Sequence, residues 1–228
     1  MLLVRAAHPR QAVLTALAMA VAAAGAGRPP REVALVLATV LVGQAVLGWD
    51  NDLVDESTDR AQARADKPLA TGALDRGTVG FALICAVLLV VPLALSSGVT
   101  AGLCYLLSVA VGAAGNRWLR DGLLSWVPWA ASFALYPAYL SYGGWGGGAQ
   151  GEPPTLAMTL VAAVLGVGVH AFTSLSGLVE DNRVGRRHLP LRLALRVGAP
   201  LLRVLTVAFC VVAGGAVVLV GSTVGLSR

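Results

Sequence analysis

The chain has 228 residues, 57% of them hydrophobic and 13% charged, with a formal net charge of +5 and a mean hydropathy of +0.75. That is more apolar surface than one water-soluble core of this length hides, so a soluble globular protein is excluded and a bilayer is the expected solvent. The basic balance does not indicate nucleic acid, because the Lys and Arg residues sit in short loops with no basic stripe interleaved with exposed aromatics.

Charge-free runs extend over Gln11–Gly27, Val33–Trp49, Gly77–Asn116, Gly122–Gly151, Pro153–Val179 and Val204–Ser227. A spanning helix needs roughly 20 residues. The third run, 40 residues long, therefore holds two spans, with a reversal at Ser96-Ser97-Gly98. The expected fold is all-α: one integral membrane domain over residues 1–228, a bundle of seven transmembrane helices near 11–27, 33–49, 78–95, 99–116, 122–142, 155–178 and 201–224. The first of these has Arg5 and Arg10 ahead of it and small residues at Ala24 to Gly27, the pattern of a cleaved signal. Its span length and the six spans that follow favour a retained helix. Cys85, Cys104 and Cys210 all fall inside apolar runs without CxxC or Cys/His spacing, so they read as small packing residues.

With alternating topology, the N-terminus and the loops at 50–76, 117–121 and 180–203 share one side and carry 14 of the 17 Lys and Arg residues; only Arg28, Arg31 and Arg228 fall on the other. The positive-inside rule assigns the rich side to the cytoplasm. The opposite face carries Tyr142 to Pro154, whose glycines Gly143, Gly144, Gly146, Gly147 and Gly148 read as a flexible loop.

The second span runs into Trp49-Asp50-Asn51-Asp52-Leu53-Val54-Asp55-Glu56-Ser57-Thr58-Asp59-Arg60. On a continuing helix, Asp52, Asp55 and Asp59 stand at i, i+3 and i+7 and share one face. Like charges so placed repel, and a charge at the centre of a span costs roughly 2.5–3.5 kcal/mol, so a cation is expected to offset them. Three carboxylates and the Asn51 amide are hard oxygen donors with no His or Cys among them, which favours Mg2+ over zinc. The turn-rich segment Ala65-Asp66-Lys67-Pro68-Leu69-Ala70-Thr71-Gly72 then brings a cation back beside the acids. Acids for a metal and a cation for phosphate together describe a diphosphate site. The competing reading is a solvated helix end paired with Arg60, Arg64 and Lys67.

These residues resemble the UbiA superfamily of intramembrane prenyltransferases, whose first signature, NDxxDxxxD, is matched by Asn51, Asp52, Asp55 and Asp59. The Asp-Lys-Pro-Leu-Ala-Thr-Gly run is similar to that family's following loop, Asn116 to Arg120 is similar to its Tyr-xxx-Lys loop, and Ser125-Trp126-Val127-Pro128-Trp129 is similar to the start of its fifth helix. The likeness covers roughly Pro9 to Pro190. It departs at Gly115, where the family has tyrosine, at Arg120, which stands for lysine, and in the second acidic motif. There the DxxxD, Gly, Leu-Pro pattern aligns to Gly177, Asp181, Gly185, Leu189 and Pro190, so one carboxylate position is glycine. The family has nine helices and this chain has one after its second motif, so the wall of the cavity opens to lipid or is completed by a neighbouring subunit of a homo-oligomer.

The resemblance implies a helical bundle around a central cavity that opens to the cytoplasmic side. It implies that Asn51, Asp52, Asp55 and Asp59 hold one Mg2+ and that Asp181, assisted by Glu180, helps hold a second. Arg64, Lys67, Arg117, Arg120 and Arg187 would hold the diphosphate, and Trp126, Trp129, Tyr136, Tyr139 and His170 would line the cavity, with His170 available as a base. The implied activity is transfer of an isoprenyl group from a prenyl diphosphate to an aromatic or lipid acceptor. Two alternatives stay open: a UbiA-type terpene cyclase, and a non-catalytic member that binds prenyl lipids. His8 and His188 receive no role.

Overall fold

The structure, a computed structural model, describes residues 1–145 and 151–222. All its regular elements are helices. They are α1 (Leu2–Ala6), α2 (Pro9–Gly25), α3 (Pro30–Ala61), α4 (Arg76–Leu95), α5 (Val99–Ala114), α6 (Val127–Tyr142), α7 (Leu156–Ser174), α8 (Leu178–Arg183), α9 (Leu189–Val197) and α10 (Ala199–Val220). Five segments are long and apolar enough to cross a bilayer: α3, α4, α5 with its extension to Leu119, α7 and α10. The other two expected spans are helices too, but α2 has 17 residues and α6 has 16. A large share of the bundle's apolar surface points outward, for example Phe81, Ile84 and Leu88 on α4 and Val204, Val211 and Val212 on α10. With no water-soluble partner surface of that extent, these faces meet lipid, and the chain is an integral membrane protein.

The α4–α5 reversal falls at Ser96-Ser97-Gly98 as the residue types require: Gly98 has φ 104°, a conformation that a Cβ disfavours. The span expected from 122 starts only at Val127, because Gly122 (φ 88°) turns the chain and Pro128 is set near the first helical position. The span expected over 155–178 stops at Ser174 and resumes as the short α8 after a break at 175–177. The expected 201–224 span is α10 as far as the described residues reach.

The largest difference is in α3. Instead of ending near residue 49, it continues unbroken to Ala61, about 48 Å at 1.5 Å per residue, well past a hydrocarbon layer of about 30 Å. Its last three turns therefore carry the acids on regular helix.

Neighbours pack in chain order, α2 on α3, α3 on α4 and α5, α5 on α6, α6 on α7 and α7 on α10. The core between them is built round Tyr105, which lies fully buried against Tyr136 and Tyr139 at ring separations of 6.5 and 5.0 Å and donates its hydroxyl to Val40 O (3.3 Å). At the end remote from the acids, Arg28 donates to Leu140 O and to Gly143 O (2.7 Å), and Gly144 N donates to Ser97 O (2.9 Å). On the other flank Gly151 N donates to Ser141 O (3.0 Å). The loop expected to be flexible is thus anchored at both described flanks, while Gly146, Gly147 and Gly148 lie outside the described residues.

Candidate active site

Asp52, Asp55 and Asp59 are all buried along one face of α3. Left alone, three such charges would be costly, and the structure brings them partners from far along the chain. At the end of α3, Ala63 takes φ 51° and turns the chain, so that Lys67 returns and donates from Nζ to Asp52 Oδ1 (2.5 Å). His8, between α1 and α2 with φ 51°, places Nε2 at 2.9 Å from the same oxygen. Lys67 Nζ also lies 3.0 Å from His8 Nε2, but one ring nitrogen cannot donate to Asp52 and accept from Lys67 at once. The adjacent carboxylate favours the tautomer with its proton on Nε2, which leaves Lys67 to Asp52.

Asp55 Oδ1 accepts from Arg120 and from Arg186 Nη2 (2.9 Å). Arg120 reaches it because α5 ends in a π-helical turn, Gly115–Leu119, that rotates the segment after it. Gly115 is there for space: an added Cβ would sit 2.6 Å from Pro128 Cβ, so the tyrosine expected at this position has no room. Asp59 carries no hydrogen bond on its carboxylate among the described residues.

The second acidic segment approaches from α8. Asp181 Oδ1 accepts from Arg186 Nη1 (3.1 Å), and its Oδ2 lies 3.0 Å from His188 Nε2. His188 is buried and its Nδ1 accepts from Leu191 N (3.3 Å), so the ring proton is on Nε2 and is donated to Asp181. Leu189 N donates to Ser125 Oγ (3.2 Å), which pairs in turn with His170 Nε2 (3.0 Å). This chain of bonds fixes the α8–α9 loop to the start of α6.

Not every expected site residue joins the cluster. Arg117 grips Asp50 with both guanidinium nitrogens, the Nη1 contact being 2.7 Å, and Asn116 donates to the same carboxylate (3.1 Å). Asp50 lies two residues before Asp52 and so off the acidic face. Arg187 is exposed and donates to Arg186 O (2.7 Å) and Asn182 Oδ1 (3.4 Å), away from the acids. Arg64 is paired bidentately with Asp66 at 2.8 Å on both bonds while its charge also acts on Asp59 and Glu180, and among the described residues no hydrogen bond ties Asn51 or Glu180 to the cluster. Tyr139 is fully buried with its hydroxyl 3.4 Å from Ser97, about 18 Å along α6 from Val127, so it lies at the wrong end of the helix to meet the acids. Tyr136 is packed at mid-helix, with Gln44 Nε2 donating to its hydroxyl (3.5 Å), and Trp129 packs on His170 at 5.7 Å. Trp126 is half-buried at the N-cap of α6. His8, Arg186 and His188 are the additions; only the run of basic residues at 186–188 hinted at two of them.

The Arg64 guanidinium, bonded to Asp66, holds that carboxyl down to about 2. A depressed carboxylate contributes stability above its ordinary value of 3.8 and loses it as pH falls toward 2. Asp66 is mostly exposed, so the contribution is small. Asp66→Asn is expected to change stability at pH 7 by no more than about 1 kcal/mol, measured by thermal unfolding at pH 7 and pH 3.

Among the described residues no three His, Cys, Asp or Glu side chains form a ready group of metal ligands. The donor chemistry nonetheless suits a hard divalent cation, because among the described residues Asp52 Oδ2 is buried with no hydrogen-bond partner and the Asp59 carboxylate, two turns further along the same face, is unbonded. Lys67, Arg120 and Arg186 supply the positive charge that such an ion would bring. A cleft of about 570 Å³ opens next to these cations, lined by Ser57, Thr58, Arg117, Arg120, Asp121 and Arg186 among others. A second, of about 630 Å³, lies on the flank of α3 with Glu56, Arg60 and Arg76, and neither cleft is lined by Asp52, Asp55 or Asp59.

A profile of the UbiA prenyltransferase family matches residues 12–227. No curated protein sequence matches the chain. Among solved structures, it is similar to a UbiA homolog from Archaeoglobus fulgidus. The complex of that homolog with DMAPP and Mg2+ matches at a TM-score of 0.69 and 17% identity, over 100% of this chain and 91% of the other. The complex with GPP and Mg2+ gives the same values, and a Cd2+ complex matches at 0.68 and 18%, over 97% and 88%. At such identities the likeness is one of fold.

Proposed function

Because the chain belongs to the UbiA prenyltransferase family, we propose that it is a Mg2+-dependent prenyltransferase that moves an isoprenyl group from a prenyl diphosphate to an aromatic or lipid acceptor. The observation that carries this reading is the buried acidic face of α3, with Asp52 Oδ2 lacking a hydrogen-bond partner among the described residues and Lys67 and Arg120 gathered on Asp52 and Asp55. The homolog from Archaeoglobus fulgidus, solved with DMAPP or GPP and Mg2+, supports the substrate class and the ion.

Asp52, Asp55 and Asp59 would hold Mg2+. When bound, the ion neutralises the diphosphate and eases its departure. Lys67 and Arg120, which now neutralise the acids, are placed to exchange a carboxylate for phosphate oxygens, so their charge is never left unpaired. Loss of diphosphate leaves an allylic cation at the prenyl C1. Trp129 and Tyr136, aromatic residues of α6 packed on His170 and Phe133, would have to turn a π-face toward it to stabilise its charge. The acid-rich end, which collects most of the Lys and Arg residues, faces the cytoplasm in this reading.

The test is diphosphate release by the purified protein from dimethylallyl and geranyl diphosphate and longer prenyl homologues. It is run with quinone-type and lipid acceptors, with and without Mg2+, and with products followed by mass spectrometry. A prenylated acceptor formed only with Mg2+ is the expected result. Release with no acceptor present, giving hydrocarbon or terpene alcohol, would replace transfer by cyclisation. No release with any combination would end the enzymatic reading.

The two loop arginines separate within this scheme. Arg120→Ala is expected to weaken binding of an unreactive prenyl diphosphate analogue by about tenfold to a hundredfold, the loss of a charge-assisted bond. Arg117→Ala, which touches Asp50 instead, should leave it within about threefold. Equal losses in a titration of the two variants would contradict the placement.

A further inference from the structure

Arg186 joins the two acidic segments. Its Nη2 donates to Asp55 Oδ1 (2.9 Å) on α3 and its Nη1 to Asp181 Oδ1 (3.1 Å) on α8, with Nε 3.9 Å from Asp121. One rigid guanidinium thus stands between carboxylates 126 positions apart in sequence, where a bridging cation would otherwise stand. Three further facts bear on the same spot. Gly177, one helical turn before Asp181, has no side chain, and a Cβ built there would already lie 3.2 Å from Asp181 Oδ2. In that turn Asp181 is the acid bonded to the cluster; Glu180 makes no hydrogen bond to it among the described residues, and its charge acts on Arg64. Both oxygens of Asp181 are already taken, one by Arg186 and the other by the Nε2 proton of His188, whose tautomer is locked by Leu191 N.

We propose that the guanidinium of Arg186 is a built-in replacement for a second divalent ion, so that this protein binds its prenyl diphosphate with a single metal, held on the α3 acids. The proposal rests on the prenyl-diphosphate reading above. Its physical basis is charge. Asp55 and Asp181 are already bonded to Arg120 and Arg186, so a divalent ion added between them meets Arg186 in its place and a single shared pair of acids. On either side of Asp55 along α3, Asp52 keeps one oxygen, Oδ2, without a hydrogen-bond partner among the described residues although Lys67 holds its Oδ1, and the Asp59 carboxylate makes no hydrogen bond, so there an ion still gains ligands. Arg186 also keeps donors free for phosphate after it has satisfied one oxygen on each carboxylate, since a guanidinium carries five N–H groups in a fork.

The experiment counts ions. The full-length protein in nanodiscs is titrated with Mn2+ in place of Mg2+, in the presence of an unreactive thiodiphosphate analogue of geranyl diphosphate, and bound Mn2+ is measured by electron paramagnetic resonance. One ion per chain, with the spectrum of an isolated centre, is expected for the natural sequence. The double variant Gly177→Asp/Arg186→Met restores a carboxylate beside Asp181 and removes the guanidinium; it is expected to take up two ions with a spin-coupled spectrum. Arg186→Lys keeps the charge and is expected to stay at one. Two ions on the natural chain, which needs no variant to fold, would overturn the proposal while leaving the prenyl-diphosphate reading intact. So would a folded double variant that stays at one. No Mn2+ on the natural chain while the analogue binds would overturn both.

Discussion

Replacing Asp52 with alanine is expected to lower Mg2+-dependent diphosphate release by on the order of 10³-fold, the scale on which a preorganised charge at a reacting group contributes to rate. Of the three aspartates on this face of α3, Asp52 is the most deeply enclosed, at 2% exposure, and the one with a buried oxygen that no described residue satisfies. That oxygen is the part of the site with most to gain from an ion. Its other oxygen holds Lys67 and His8, so the substitution also releases the cation placed for the diphosphate. A purely structural role makes a different forecast: breaking a buried pair costs about 3–5 kcal/mol of stability, and activity would fall only with the folded fraction. Measuring melting temperature and turnover on the same Asp52→Ala and Asp52→Asn preparations separates the two. Turnover within about tenfold of the natural protein, in a folded variant, would remove Asp52 from the chemistry.

Gly166→Val is expected to destabilise the bundle by forcing two packed helices apart. A Cβ at Gly166 on α7 would lie 2.5 Å from the carbonyl oxygen of Trp129 and 2.9 Å from Phe133 Cβ, both on α6. A backbone carbonyl cannot rotate out of the way, so the two helices must part along a main packing seam of the bundle. Overpacking of this kind costs about 1–3 kcal/mol, and the branched Val adds to it, so a fall in Tm of about 5–10 °C is expected. Parting α6 from α7 also disturbs the Trp129–His170 contact and the Ser125–His170 bond, so activity should fall with it. Gly214→Ala on α10, where an added Cβ meets nothing within 4 Å, is the control and should leave Tm within a few degrees. If both variants melt alike, tight α6–α7 contact is not what holds the bundle.

What the sequence determined by itself is whatever depends on near neighbours along the chain. Apolar runs of span length placed the helices, because a bilayer satisfies only segments that close their own backbone hydrogen bonds. The turn at Gly98 followed from local conformational preference, and the shared face of Asp52, Asp55 and Asp59 from helical periodicity alone. The break before α8 was less legible, since Leu175-Ser176-Gly177 carries no charge to interrupt the apolar run. Tertiary structure alone decided which cation meets which acid. Arg186 and Arg187 are adjacent and chemically identical, yet the first bridges Asp55 and Asp181 while the second turns away, because consecutive residues point in different directions from a fixed loop. Arg117 and Arg120 divide in the same way between Asp50 and Asp55 across a π-helical turn that no propensity announces. His8 reaches Asp52 across 44 positions and Arg186 reaches Asp55 across 131. Pairings of long, flexible side chains over such separations are set by how the helices pack, and packing is not a local property of the chain.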